Sequence, residues 1–341
     1  MIKINLNKTI FFVALLFFTN SANSNETREL VIKKGFVTCG VSEGVVGFSS
    51  INKLGQWEGI DVDFCRAVAA AVLADSNKVK FIPVSQRDRL LVVKQKEVDL
   101  FSRSLNVTFN REVDTGNHAF IRTTNYAIET FMVRKSSKIS SVYQLNNVVV
   151  CTTMGAIYEV TAREFFKKQN KKYSIITFRD WEETAMAYEQ GRCDALIADV
   201  PFLHSFKANF KKPEDHVVLK QSVAKSPTSI LVRYDDKNWY NIVTWIINAL
   251  ILAEESEVNS NNVDSMLLSE DIEIKKLLGK EGDFGKKLSL SNEWAYNIVK
   301  QVGNYEEIYE RNLGNKSNLK IDRGYNKLWT KGGLMYSIPL K

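Results

Sequence analysis

The stretch VDLFSRSLNVTFNREVDT, residues 98–115, indicates which fold the chain adopts. It opens with a short apolar strand signal, Val98 to Phe101, continues through small polar residues, Ser102 to Thr108, and then presents Arg111. A strand that ends in a polar loop before a helix start leaves several backbone N–H groups unpaired and pointing the same way. An arginine beside those donors forms a carboxylate clamp, because guanidinium is planar and can hold both oxygens of an acid group.

Strand and helix signals alternate around this stretch. Residues 36–41 and 79–83 have the pattern of strands, and residues 64–74 and 87–94 that of helices. This alternation predicts an α/β fold with a parallel sheet covered by helices. Ligands of such sheets bind at the carboxyl ends of the strands, where the loop after Phe101 falls.

A second unit repeats the pattern. Its strands are predicted at 148–151, 174–178 and 195–198, and its helices at 159–168 and 181–190. The strands again end in loops that face one crevice.

Two charged residues at these strand ends have more than one interpretation. Asp199 follows the last strand of the second unit, where it could accept a ligand's ammonium group or cap the next helix. Arg111 could hold a ligand's carboxylate or form a surface salt bridge with Glu112 or Asp114. The local sequence leaves both questions open.

Two polar, strand-like connections join the units, residues 122–129 on the way out and 222–230 on the way back. Two crossings allow the lobes to close around a ligand as on a hinge. The predicted organisation is an export signal at 1–24, lobe 1 at 25–124 and 226–270, lobe 2 at 125–225, and a helical, aromatic extension at 271–341 packed on lobe 1.

The first residues have the pattern of an export signal. Basic Lys3 and Lys8 precede the apolar run 10–18, and the small residues Ala22-Asn23-Ser24 follow. The apolar run is shorter than the roughly 20 residues that span a bilayer. We therefore expect cleavage near Ser24 and a soluble mature chain outside the cytoplasm, beginning near Asn25; an uncleaved signal anchor is the alternative.

Charge and cysteine usage narrow the class of protein. The net charge is +7 over 341 residues, and basic and acidic residues are interspersed, which argues against nucleic-acid binding.

An even cysteine count in an exported chain favours two disulfides over free thiols, and pairing within each unit would give one per lobe. No CxxC occurs and the histidines are scattered, so we expect no metal site and no cofactor. The cysteines are Cys39, Cys65, Cys151 and Cys193.

Several motifs together resemble the general L-amino-acid-binding proteins of bacterial ABC uptake systems. They are CGVSEGVVGFSS, GIDVDFCRAVAAAV, GRCDA, EGDFG, WAYNIVKQVGNYEEIYERN and LWTKGGLMY. The resemblance implies a two-lobed type II periplasmic-binding-protein fold, in which each lobe is a mostly parallel sheet flanked by helices. It also implies a monomer that delivers amino acids to an inner-membrane ABC permease and catalyses no reaction. The disulfides that it implies are Cys39–Cys65 and Cys151–Cys193.

The resemblance also assigns binding roles. Arg111 becomes the ligand of the α-carboxylate and Asp199 that of the α-ammonium. Further contacts and pocket residues are expected at Ser104, Asn106, Thr108, Gly155, Ala156, Gln86, Arg103, Met154 and Tyr158.

This chain departs from its relatives at the pocket. Relatives usually have threonines at the positions of Leu105 and Asn106 and a threonine-rich loop at 156–158, while several place stacking aromatics at Val45 and Gln86. These differences predict a changed pocket polarity, and a narrower amino-acid-like or cationic ligand is an alternative to broad amino-acid binding.

Two other functions share the scaffold. Cyclohexadienyl dehydratases resemble it and need an acid in the cleft, for which Glu43 is the candidate here, but no His, Ser or Cys constellation supports catalysis. A binding protein that serves a chemoreceptor is the other alternative. We expect a non-enzymatic binding protein.

Overall fold

The computed structural model describes residues 26–42, 44–113 and 116–341. The export signal predicted at 1–24, the candidate acid Glu43 and the possible salt-bridge partner Asp114 lie outside these ranges. No helix in the described ranges is long and apolar enough to cross a membrane.

The chain alternates strands and helices through most of its length. The strands are β1 (Val37–Val41), β2 (Ser50–Ile51), β3 (Trp57–Glu58), β4 (Val79–Pro83), β5 (Leu100–Asn106), β6 (His118–Arg134), β7 (Val148–Thr153), β8 (Tyr173–Phe178), β9 (Ala195–Asp199), β10 (His216–Val218) and β11 (Ala224–Arg233). The helices are α1 (Glu26–Lys34), α2 (Ile60–Leu73), α3 (Leu91–Lys94), α4 (Phe109–Val113), α5 (Tyr158–Lys168), α6 (Trp181–Glu189), α7 (Val200–Ala208), α8 (Lys237–Glu255), α9 (Val263–Met266), α10 (Ile272–Leu277), α11 (Phe284–Lys287), α12 (Trp294–Val302) and α13 (Tyr305–Asn312).

One sheet runs through both lobes. Its order is β4-β1-β5-β11-β6-β9-β7-β8, and β10 also pairs with β6. In lobe 1, β1 is parallel to β4 and β5; in lobe 2, β7 is parallel to β8 and β9. The long β6 pairs antiparallel with β11 up to Glu129 and with β9 from Glu129 onward. The predicted two-lobed α/β fold is confirmed, and β6 carries the sheet from one lobe to the other.

Each lobe contains one disulfide. Cys39 on β1 is bonded to Cys65 on α2, with 6.2 Å between their Cα atoms. Cys151 on β7 is bonded to Cys193, with 5.7 Å between their Cα atoms. The pairing implied by the family resemblance is therefore present, and each bond joins a strand to the layer or loop beside it.

The C-terminal extension contacts the first half of β6. The Asn326 side chain accepts the backbone N–H of Tyr126 (2.6 Å) and donates to its carbonyl (3.1 Å). The Tyr305 hydroxyl donates to the Thr124 carbonyl at 2.8 Å. The extension thus reaches the strand that connects the two lobes.

The stretch that indicates the fold differs in detail from the prediction. The polar loop predicted at 102–108 is strand as far as Asn106, because Leu105 and Asn106 pair with Ser229 and Thr228 of β11. The helix predicted at 87–94 is helical only from Leu91. Long-range pairing with β11 supplies backbone partners that the local sequence does not reveal.

Candidate functional site

A cavity of about 20 Å³ lies between the lobes, next to the end of β5. Its lining residues are Gln86, Arg103, Ser104, Leu105, Asn106, Arg111, Ala156, Tyr158, Trp181 and Phe202. The cavity therefore brings together both charged and apolar side chains from separate parts of the chain.

Most of the predicted binding residues converge on this cavity, but not all of them. Asp199, Thr108 and Gly155 do not line the cavity, although each lies next to a residue that does. The side chain of Met154 is exposed and does not line the cavity either. A larger cavity of about 700 Å³ lies near Arg134, at the end of lobe 2 opposite the carboxyl ends of its parallel strands. We favour the smaller cavity, because ligands of α/β sheets bind at the carboxyl ends.

A bulge in β5 near Ser104 shapes the lobe 1 side of the cavity. Ser104 has φ +44°, which is uncommon for a residue with a side chain. Its backbone N–H and its hydroxyl both donate to Oδ1 of Asp61, at 3.0 and 3.1 Å. Burial raises the pKa of Asp61 to about 7, while these hydrogen bonds oppose the shift. The carboxyl group of Asp61 thus holds the bulge that turns Arg103 toward the cleft.

Arg111 is anchored to the same strand end. Its Nη1 donates to the Asn106 carbonyl at 2.9 Å, and its backbone N–H donates to Oγ1 of Thr108 at 3.3 Å. Burial lowers the pKa of Arg111, and the nearby Tyr158 and Glu129 oppose this. The guanidinium keeps further N–H groups beyond the one that bonds Asn106.

Two more arginines join Arg111 on the lobe 1 side. Arg103 donates to Oε1 of Gln86 at 2.8 Å. Arg89 donates to the Gln86 carbonyl at 2.7 Å and, across the cleft, to the Gly155 carbonyl at 2.8 Å. Burial, followed by the charges of Arg111 and Arg103, lowers the pKa of Arg89 to about 9. This side of the cleft is therefore strongly cationic, and Arg89 joins the two lobes directly.

Asp199 lies on the lobe 2 side, behind the cavity lining, where it caps a helix and is bonded to the lining residue Tyr158. Its Oδ1 accepts the backbone N–H of Phe202 (3.2 Å) at the start of α7, and its Oδ2 accepts the Tyr158 hydroxyl (2.7 Å). Burial raises the pKa of Asp199 to about 6, and hydrogen bonds from Tyr158, Phe202 and Asn106 oppose the rise. Asp199 therefore caps the helix, and its role as an ammonium ligand stays a prediction.

Aromatic rings close the apolar part of the site. The Trp181 ring lies 5.5 Å from Tyr158 and 5.8 Å from Phe202, measured between centroids. The ring centroid of Phe202 in turn lies 4.5 Å from that of Phe48 in lobe 1. Sequence reasoning missed Trp181 and Phe202 as site residues, although both follow the carboxyl ends of strands.

Val45 is buried and lines a neighbouring cavity with Trp181. Near Val45, the aromatic contact between the lobes is made by Phe48 and Phe202.

These features define a two-lobed binding protein with a charged and aromatic cleft. The sequence profile of the bacterial extracellular solute-binding proteins, family 3, matches residues 37–315, and the chain belongs to this family.

Similar proteins match almost the whole chain. The general L-amino acid-binding periplasmic protein AapJ of Rhizobium johnstonii is 41% identical, covering 96% of each chain. The glutamate/glutamine/aspartate/asparagine-binding protein BztA of Rhodobacter capsulatus is 35% identical, covering 98% of this chain and all (100%) of its own. A solved structure of a periplasmic binding protein from Brucella ovis with glutathione bound has a TM-score of 0.90 and 39% identity, covering 92% of this chain and 98% of its own.

Proposed function

We propose that this protein is the periplasmic binding component of an amino-acid ABC uptake system. It takes an L-amino acid between its lobes, with Arg111 binding the α-carboxylate and Asp199 the α-ammonium, and presents it to an inner-membrane permease after closure. Lobe 1 comprises residues 25–124 and 226–270, and lobe 2 comprises residues 125–225. It works as a monomer without catalysis.

The observation that carries the proposal is the separation of charge across the cleft. Arg111 lies on α4 in lobe 1 and is bonded to the end of β5, and Asp199 lies at the end of β9 in lobe 2. Both are held by neighbouring polar groups and largely shielded from water, which strengthens their interaction with an opposite charge. A zwitterion bound to both residues would favour the closed arrangement of the lobes.

The names of the relatives support the same class of ligand. One is named for general L-amino acids and another for glutamate, glutamine, aspartate and asparagine. The structure from Brucella ovis contains glutathione, which joins an amino-acid head to a second carboxylate. Arg89 and Arg103 could receive such a second carboxylate in this chain, because guanidinium groups favour carboxylates.

A thermal-shift screen of the mature chain, residues 25–341, tests the proposal. The probes are the common L-amino acids, glutathione and polyamines. A ligand that binds only the folded state adds about 2.7 kcal/mol at a hundredfold excess over its dissociation constant, which raises the melting temperature. Shifts with several L-amino acids support the proposal, whereas shifts with polyamines alone contradict it.

Two variants test the assigned clamp. Arg111→Ala should weaken binding of any amino acid found in the screen by about 30-fold or more, because losing one partner of a buried charge pair costs about 2–5 kcal/mol. Arg163→Ala removes an exposed arginine from α5 and is the matched control. Full affinity in Arg111→Ala would refute the assignment.

A further inference from the structure

Glu129 is a buried carboxylate behind the cleft cavity, near the lining residues Arg111 and Tyr158, and the proposed clamp gives it no role. It lies on β6 directly opposite Asp199 of β9 in the antiparallel register. Opposed residues of neighbouring strands project from the same face of a sheet, with Cβ atoms about 4.5–5.5 Å apart. The side chains of both residues are almost fully buried, at 0% and 2% exposure. The two acidic residues therefore lie side by side in lobe 2, where β6 pairs with β9.

The carboxylate of Glu129 lacks hydrogen bonds. Within the described part of the chain, neither Oε1 nor Oε2 has a hydrogen-bond partner. The hydroxyls of Thr161 and Ser226 approach Glu129, although neither meets the geometry of a hydrogen bond; after burial, Thr161 has the largest effect on the pKa of Glu129, and both hydroxyls lower it. A buried and unsatisfied carboxylate is costly unless a cation or a proton compensates it.

Charged and titratable groups face Glu129 from three sides. Asp199 faces it from β9, Tyr158 from α5 and Arg111 from α4. Burial raises the pKa of Glu129 to about 7, the charge of Asp199 adds to this rise, and Arg111 opposes it. The Tyr158 hydroxyl already donates to Asp199, so it does not satisfy Glu129. Two neighbouring acids of this kind titrate as a pair.

We propose that Glu129 and Asp199 bind the ligand's ammonium group jointly and that they share one proton when no ligand is bound. The inference rests on the proposed function. When the ligand arrives, its ammonium keeps its own protons, the carboxyl O–H bond breaks, and the proton passes to solvent. Because each carboxylate takes an N–H donor, the pair selects ligands with a primary ammonium group over N-trimethylated ones.

The shared proton can be tested without a ligand. The measurement is the unfolding equilibrium in urea between about pH 5 and pH 8 for wild type, Glu129→Gln and the control Glu164→Gln, whose side chain is exposed on α5. The folded-state pKa of Glu129 is raised, so its stabilising contribution is present at low pH and is lost as pH rises toward 7. One extra bound proton makes the unfolding constant rise by about tenfold per pH unit. Glu129→Gln should lower the wild-type slope by this one-proton contribution, whereas Glu164→Gln should keep the full wild-type slope.

Calorimetry of ligand binding forms the second arm. The first probe is L-glutamine, whose side chain is uncharged, followed by the other L-amino acids from the screen. Titration near pH 6 in two buffers of different ionisation enthalpy should show proton release by wild type and less release by Glu129→Gln. The trimethylated form of the same amino acid should bind at least about tenfold more weakly, a loss of about 1.4 kcal/mol.

The outcomes separate this inference from the proposed function. Equal pH slopes in wild type and Glu129→Gln overturn the inference, and so does amino-acid binding without proton release. Failure of every amino acid to bind contradicts the proposed function, while the unfolding experiment still decides whether the pair shares a proton.

Discussion

Arg323 and Glu254 form a buried, two-point ion pair that ties the C-terminal extension to α8. Nη1 and Nη2 of Arg323 donate to Oε1 and Oε2 of Glu254 at 2.7 and 2.8 Å, and the guanidinium lies near the rings of Tyr305 and Tyr309. The side chains are 5% and 1% exposed, so this pair is shielded from salt.

Arg323→Ala should destabilise the protein by about 3–5 kcal/mol, because it leaves the Glu254 carboxylate buried without its cation. Urea unfolding measures the effect. The control is Lys287→Ala, which removes an exposed pair with Asp283 and should cost at most about 1 kcal/mol. Equal costs for the two variants would show that the buried pair is dispensable.

Arg89→Ala should favour separation of the lobes, because Arg89 donates to the Gly155 carbonyl across the cleft. Small-angle X-ray scattering of the ligand-free protein should give a larger radius of gyration. Amino-acid affinity should fall by about tenfold, since a hydrogen bond from a charged group contributes about 1.5–3 kcal/mol. Arg87→Ala, an exposed neighbour, should change neither quantity. An unchanged radius in Arg89→Ala would contradict this role.

The two disulfides should contribute similarly to stability. The bonds close loops of 26 and 42 residues, for which chain entropy gives about 3.5 and 4 kcal/mol. Replacing either pair by alanines should lower the free energy of unfolding by about these amounts, as measured in denaturant. The oxidised wild type is the control. A loss below about 1 kcal/mol for either pair would show that the entropic account fails there.

Trp181 should report ligand binding by its fluorescence. Its indole lies against the cleft cavity beside Tyr158 and Phe202, so a ligand changes its surroundings. Trp181→Phe should remove most of the emission change on amino-acid binding while keeping the affinity within about tenfold, because the ring remains aromatic. Trp329→Phe, at an exposed position, should keep the full change. Retention of the signal in Trp181→Phe would place the ligand elsewhere.

Asp61→Asn should make the pH dependence of stability shallower by the contribution of this one group. The pKa of Asp61 is raised by burial to about 7 in the folded state, so its stabilising contribution is present at low pH and is lost as pH rises through 7. Urea unfolding of wild type should therefore lose about 2–4 kcal/mol from this group between about pH 4 and pH 8. Asp215→Asn, at an exposed site, should retain the wild-type slope. A slope unchanged by Asp61→Asn would mean that Asp61 stays ionised.

The sequence predicted the parallel strands well but the cleft only in part. Strand and helix signals in lobe 2 are strong and local, so Asp199 falls at its expected strand end. The end of β5 was missed because its polar residues gain partners only from β11, more than a hundred positions away. Arg89 was assigned to a helix and Glu129 to a connection, so neither was expected near the cleft. Their roles depend on how the lobes meet, which periodicity does not encode.

The contact between Asn326 and Tyr126 has a consequence for behaviour at high protein concentration. β9 pairs with β6 only from Glu129 onward, so before that residue one edge of β6 has no strand partner in the described ranges. Such an edge is a template for intermolecular pairing and aggregation. The Asn326 amide occupies both backbone groups of Tyr126, much as a neighbouring strand would. The extension therefore covers a strand edge that could otherwise pair with another molecule. Chains that lack the extension should self-associate.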